Sequence, residues 1–420
     1  MREPLFHIVR RNASSRLRGW VVRGIAILAA LLLSGLLTFL VTKLNPLEVY
    51  AKMWQGNFGS SRRIWVLLQN TAILLIIALA LTPAFKMRFW NTGAEGQVLI
   101  GGFGAALVMR FIGAGLPNYV LIPLELLAAI AAGALWGFIP AFFKAKWKTN
   151  ETLFTLMMNY VAIQIVSWFC TLFAVPKGSG QLGILNQSTE AGWLPVLFRG
   201  EQYAGTWIRD VFGAKYFFNV VIVLLVLVFI YIYLRYSKHG YEIWVVGESE
   251  KTARYVGINV KSVIIRTMLL SGALCGVAGF LLVAGTDHSI TPNTVGGEGF
   301  TGIMVSWLAK FNPIVMVFTS ALIIFMKNGA SQIASSFHLN ESFGDIMTGI
   351  IIFFIIGCEF FINYRIVFRK KGGHAEAADP QKPKLSDALK GLENAPPDPG
   401  EKKPETEAGV REEVKKEVES

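Results

Sequence analysis

Long apolar runs separated by short polar stretches organise this chain. Eight of them approach or reach the ~20 residues that a helix needs to cross the hydrocarbon core. They lie at 24–43, 64–85, 97–115, 119–142, 152–175, 216–235, 265–285 and 345–367. Two shorter runs, 299–309 and 313–328, are split by Lys310-Phe311-Asn312-Pro313. Proline removes a backbone donor and disfavours helix in the residue before it, so this stretch reads as a short or re-entrant helix followed by another span. The pattern predicts an all-α polytopic membrane protein of about ten membrane segments. The first run follows Arg10, Arg11, Arg16, Arg18 and Arg23. It is longer than the ~7–15-residue core of a cleavable signal, so a retained first helix is expected.

Two connections stand out by length. Residues 176–214, with Trp193 and Trp207, form an outer loop that caps a pore, docks an external partner or simply links two spans. Residues 236–264 form the longest internal loop. Within it, Glu248 to Tyr255 places charged and small residues at helical spacing between Gly247 and Gly257, which predicts a short amphipathic helix at the membrane surface. The division expected is a basic cytoplasmic segment at 1–23, a membrane domain at 24–368 and a charged tail at 369–420. The tail is rich in Pro, Glu, Lys and Ala and buries too little apolar surface to order itself.

Composition agrees with a membrane chain: 53% of the 420 residues are hydrophobic and 16% are charged, against about 25% charged in soluble domains. The formal charge of +12 sits in short loops rather than on one face, as topology signals do, which argues against nucleic acid. With the first segment inside, about 22 basic residues fall on the inner side and about 10 outside, so both termini are expected in the cytoplasm of a bacterial inner membrane. Cys170, Cys275 and Cys358 lie in apolar runs without metal-type spacing and read as small buried hydrophobes, so no metal is expected.

One pattern recurs. Asn91-Thr92-Gly93-Ala94-Glu95-Gly96-Gln97 and Asn293-Thr294-Val295-Gly296-Gly297-Glu298-Gly299-Phe300 each set an acid among glycines between apolar runs. An ionisable group at membrane depth faces a cavity or a partner, and glycines let the backbone leave helical geometry beside it. Paired interruptions in two half-chains point to a transporter's passage. The spans carrying the two copies run in opposite directions, as a 5+5 inverted repeat requires. On that topology the copies sit on opposite membrane sides. Glu95 is then the better candidate for the passage, and Glu298 for a brace or gate. Asn159 is a further intramembrane polar group, either interhelical glue or a ligand contact. Glu125 is a helix brace or lies outside the membrane. Trp90, Phe89 and Phe300 flank the breaks and serve ligand stacking or the interfacial belt. An intramembrane enzyme lacks a His or Cys beside the carboxylates, and a stand-alone ion-coupled transporter leaves the 29-residue internal loop unexplained.

At these residues the chain resembles the permease subunits of bacterial ABC importers in the branched-chain amino acid and simple-sugar superfamily, nucleoside-type branch. That branch carries Phe-Asn-Ile-Gly-Ala-Glu-Gly-Gln; here Trp90 and Thr92 replace the Phe and Ile. Asn150-Glu151-Thr152 with Met158-Asn159-Tyr160, Ala253 to Ile258, and Gly297 to Ile303 with Asn312-Pro313 also resemble it. The resemblance covers roughly 40–367. It implies a ten-helix permease paired with a second permease, a separate cytoplasmic ATPase that uses ATP and Mg, and an external substrate-binding lipoprotein. The chain has no GxxxxGK[ST] phosphate loop, so no catalytic residue and no cofactor of its own are expected. Candidate passage residues are Trp90, Asn91, Glu95, Gln97, Asn159, Glu298 and Phe300. Candidate ATPase-coupling residues are Glu248, Ala253, Arg254, Tyr255 and Gly257. The implied solute is nucleoside-like, with simple sugars or riboflavin-like ligands as alternatives.

Overall fold

The computed structural model describes residues 6–10, 16–113, 115–174, 177–179, 182–198, 213–340 and scattered positions from 342 to 368. Two units are present. The smaller, Met1–Arg10 with Arg365–Ser420, is built around the paired strands β1 (Phe6–Arg10) and β2 (Tyr364–Phe368). These two five-residue strands stand apart from an otherwise helical chain, and β2 takes the end of the 345–367 run. β-Branched and aromatic residues, which suit a pleated ribbon, fill both. Most of 345–363, Cys358, Trp207 and the 369–420 tail fall outside the described residues.

The larger unit, residues 11–364, is helical. Its elements are α1 (Arg16–Thr42), α2 (Pro46–Phe58), α3 (Ser61–Lys86), α4 (Ala94–Ile112), α5 (Asn118–Trp147), α6 (Glu151–Leu172), α7 (Phe217–Tyr236), α8 (Lys238–Glu248), α9 (Glu250–Tyr255), α10 (Val260–Leu282), α11 (Glu298–Leu308) and α12 (Pro313–Phe337). Among the described residues seven helices are long and apolar enough to span a membrane. The count is eight if the pair from Leu28 to Phe58, bent by 110°, is one broken span. Helix starts follow local chemistry. Asn150, Asn259 and Asn312 accept the Leu153, Ser262 and Ile314 amides, and Pro313 occupies the first helical position where its missing N–H costs nothing.

The hydropathy pattern does not single out α2. It buries just Val49, Met53 and Asn57, one side chain per turn, and its other positions mix polar residues with the exposed Leu47, Trp54 and Phe58. Asn45 starts it by accepting the Leu47 amide. The 236–264 stretch is no loop: α8, α9 and the first turn of α10 fill it. The expected surface helix within it is α9, one residue after α8 and capped by Ser249 on the Thr252 amide.

α3 and α10 are central. Every residue from Thr71 to Phe85 is buried. α10 meets α5 along a stripe of small residues. Ala129, Gly133, Gly137 and Ala141 recur every fourth position on α5, opposite Met268, Gly272 and Gly276. A methyl group on Gly276 would sit 2.2 Å from the Ala129 carbonyl, and one on Gly133 2.3 Å from that of Gly272. Such contact lets van der Waals packing hold helices where lipid supplies no hydrophobic drive. Gly276→Val should therefore lower the melting temperature of detergent-solubilised protein by several degrees, about 1–3 kcal/mol of overpacking. Gly349, with nothing within 4 Å of an added methyl, should accept alanine without a shift.

Candidate functional site

The first break is stitched by side chains from three helices. Between α3 and α4 the chain turns without regular structure, and Thr92 donates its N–H to Thr155 Oγ1 (3.1 Å) and its hydroxyl to the Thr152 carbonyl (2.9 Å) on α6. Asn159, one turn further along α6, accepts the Gly96 amide at 2.8 Å and donates to the Thr92 carbonyl at 2.9 Å. It thus caps α4, whose N-terminal Gly93 carries no side chain to do so. Asn91 and Gln97 form a reciprocal amide pair (3.2 and 3.3 Å). Asn91 also accepts the Gly93 amide and donates to Ser271 Oγ on α10. All three amides are buried. Expected to hydrogen-bond a passing solute, Asn91, Gln97 and Asn159 are turned onto the protein itself. Thr155 and Ser271 belong to this network and were not singled out from sequence; the Thr155–Asn159 spacing on one helical face is the signal that marks the first of them.

The second break begins where α10 widens into a π turn, Val283–Asp287. The return segment is held from outside. The Leu185 amide donates to the His288 carbonyl, the Leu194 amide to Ala284, and the Cys170 thiol to Ile290. Trp193 stacks on the His288 ring with centroids 3.9 Å apart. The described part of the outer loop is therefore fixed to this break. Glu125 is fully buried beneath it, beside Gly192, with neither oxygen hydrogen-bonded among the described residues.

The breaks meet. Glu95 Oε1 accepts the Gly297 amide and Oε2 the Gly299 amide, both at 2.8 Å. This overturns the placement of the two copies on opposite membrane sides. That placement assumed that each apolar run crosses completely, but α11 has 11 residues and is about 16 Å long, half the hydrocarbon thickness. Its N-terminus meets the start of α4. Glu95 is buried and acts as the brace. Glu298 instead lies 3.9 Å from Lys327 Nζ on α12 and stays partly exposed.

An aromatic face adjoins the junction. Phe300, Met304 and Trp307 point the same way from α11, and Trp90 stacks on Trp307 with centroids 5.3 Å apart and planes at 19°. Trp90, Phe300 and Trp307 are 44–46% exposed, whereas Phe89 is buried. Trp307 had not been singled out, because its run read as an ordinary apolar segment.

At the end of the bundle that carries residues 86–90, α8 and α9 close over the first break's entry. Gly247 approaches so near that an added methyl would sit 2.0 Å from the Lys86 carbonyl. Arg88 lies 3.8 Å from Glu248, and with Glu151 and Lys144 these line a cavity of about 190 Å³. Ala253 is fully buried, whereas Arg254 is exposed and paired with Glu250, and Tyr255 is 94% exposed. Gly257 turns the chain at φ +86°. Glu242 on α8 is held below the usual carboxylate range by its 2.6 Å bond from Arg266, with His239 also beside it. Among the described residues no group of three His, Cys, Asp or Glu side chains is placed to hold a metal.

Residues 64–356 match the model of the family described as branched-chain amino acid transport system / permease component. The guanosine ABC transporter permease protein NupP of Bacillus subtilis is 29% identical over 86% of this chain and 99% of its own. The glucose ABC transporter permease protein TsgB13 of Haloferax volcanii is 28% identical over 85% and 94%. The probable riboflavin import permease protein RfuC of Treponema pallidum is 21% identical over 76% and 79%.

Glu95→Gln leaves one acceptor oxygen for two amides. Hydrogen exchange at Gly297 and Gly299 should accelerate at least about tenfold, since a bond to a charged acceptor contributes roughly 1.5–3 kcal/mol; unchanged protection would remove the brace. Because the folded pKa of Glu242 is depressed, its contribution is present above the unfolded carboxylate value, about 4.3, and is lost as pH falls through the folded one. Glu242→Gln should therefore lower the melting temperature at pH 7, with the difference shrinking below pH ~4.

Proposed function

Since the chain belongs to the branched-chain amino acid transport system permease family, in its nucleoside-type branch, we propose that it forms half of the membrane passage of an ATP-driven importer for a nucleoside-like solute. It is a multi-pass ABC permease subunit. The observation that carries the proposal is the exposed aromatic face at the junction of the two breaks. Trp90, Trp307 and Phe300 offer ring surfaces to a planar base, beside the meeting helix starts of α4 and α11.

The second half of the passage comes from a second permease, making a heterodimer, and an external lipoprotein delivers the solute. ATP hydrolysis with Mg belongs to a separate cytoplasmic ATPase docked on α8 and α9, so this chain is not itself an enzyme. Tyr255 and Arg254 reach toward that partner, Ala253 packs α9 onto the bundle, and Gly257 lets the chain turn back into α10. The Gly247–Lys86 contact and the Arg88–Glu248 pair then carry motion of α8 to the first break. On this reading α8 and α9 face the cytoplasm of a bacterial inner membrane, and both termini are cytoplasmic too. Glu95 holds the half-helices together while Glu298 lies at the passage. Guanosine and riboflavin, for which two of the relatives are named, each join a planar ring system to a hydroxyl-bearing sugar or chain, whereas glucose, for which another is named, offers hydroxyls alone. Stacking is what separates these solutes.

Proteoliposomes holding this chain, its partner permease, the ATPase and the binding protein should accumulate labelled guanosine. Trp307→Ala should cut that uptake about tenfold, the ~1.4 kcal/mol within the range of one base–aromatic stack. Tyr255→Ala should retain the fold and lose ATP-driven uptake. Wild-type uptake in both variants would sink the passage and docking assignments, while glucose uptake without guanosine uptake would move the chain to the sugar reading.

A further inference from the structure

The 313–328 run continues as helix for nine residues beyond its apolar part, to Phe337. The added turns are polar on one side: Asn328, Ser331, Gln332 and Ser335 share a face. That face does not turn to lipid. With Ser60, Arg62, Arg63 and Val66 at the start of α3, and Gly56 at the end of α2, it lines a cavity of about 450 Å³. This is within the range of small-molecule sites. α2 shapes one wall by close contact, since a methyl on Gly56 would lie 2.6 Å from Gln332 Cβ. Arg63 is anchored to the Gln55 carbonyl at 2.7 Å, which leaves Arg62 as the freer cation at the rim.

The cavity leads inward. Asn328 accepts from Asn70 Nδ2 at 3.3 Å, tying α12 to α3 at its floor. The preceding residue on α12, Lys327, is the one that faces Glu298 at 3.9 Å. That pair stands beside the Glu95–Gly297 junction. The cavity's own charged lining groups are Arg62 and Arg63, and its other polar groups are hydroxyls and amides. The separation of Lys327 from Glu298 is too long for a hydrogen bond.

We propose that this α2–α3–α12 cleft is the entry vestibule for the transported solute, selecting small molecules rich in hydrogen-bond acceptors and repelling cations. The assignment to a solute rests on the transport reading above; the accessibility and charge preference of the cleft do not. In that arrangement a hydroxyl of the solute bridges Lys327 and Glu298, and the solute then passes to the aromatic face.

The test uses the assembled transporter with Cys358→Ser, leaving two buried native thiols. Ser331→Cys is treated from outside with an anionic and a cationic methanethiosulfonate, each rate normalised to a free thiol. The normalised ratio should favour the anion at least fivefold, and Arg62→Gln should abolish most of that preference. Ser331→Trp should reduce guanosine uptake tenfold or more with the complex intact by size exclusion. An unreactive Ser331→Cys, absence of charge preference, or full uptake by an intact Ser331→Trp complex would overturn the vestibule. If the parent itself fails to take up guanosine while the labelling pattern holds, the failure belongs to the nucleoside assignment, and the cleft keeps its preference for acceptor-rich probes.

Discussion

A helix that begins inside a bilayer exposes backbone amides with no partner in its own segment, and lipid offers none. The Glu95 carboxylate resolves this for α11 by accepting its Gly297 and Gly299 amides. Negative charge is also favoured at that end of a helix. Asn159 does the equivalent for α4 through the Gly96 amide. Each half-helix is thus capped by a residue from elsewhere in the fold, so neither break is stable alone. The need for close approach follows: a methyl on Gly299 would lie 2.4 Å from the Glu95 nitrogen, and any side chain there would push the carboxylate off the amides.

That junction requires α4, α5 and α10 to be held near one another with little slack. The small-residue seam supplies this. Gly101 and Gly279 of α4 and α10 bring backbones as close as Gly133 and Gly276 do between α5 and α10. A core packed at this distance moves as blocks rather than by side-chain rearrangement. In the proposed coupling, motion entering at α8 has an economical route. Gly247 rests directly on the carbonyl of Lys86, seven residues before the first break's Gly93, and no flexible side chain intervenes.

The main spans were legible because lipid imposes length and apolarity on each one, and because Pro313 marks where the run after 299–309 restarts. The two breaks were legible as glycine-flanked acids. Their meeting was not. Counting spans treats every apolar run as a full crossing, and α11, with 11 residues, makes half of one. Nor does Glu95 carry any local sign that its partners are two amides some 200 positions away. Helix α2 escaped the pattern because burying Val49, Met53 and Asn57 needs one apolar stripe rather than an apolar run. The α12 extension escaped for the same reason, since its polar face is turned to a cleft.

The junction also constrains how a solute can be recognised. Asn91, Gln97 and Asn159 are the polar groups that the sequence places at the first break, yet their amides are already paired with backbone or with each other. Offering them to a solute would leave buried partners unsatisfied, at about 1–3 kcal/mol each, and would loosen the caps that let α4 and α11 exist. In the proposed passage, recognition therefore falls to groups that are free of that duty: the ring faces of Trp90, Trp307 and Phe300, and the Lys327–Glu298 pair, which is not closed into a hydrogen bond. Ring faces and one open ion pair hold a solute weakly. A passage that must release its cargo on every cycle needs that weakness, and the break chemistry enforces it.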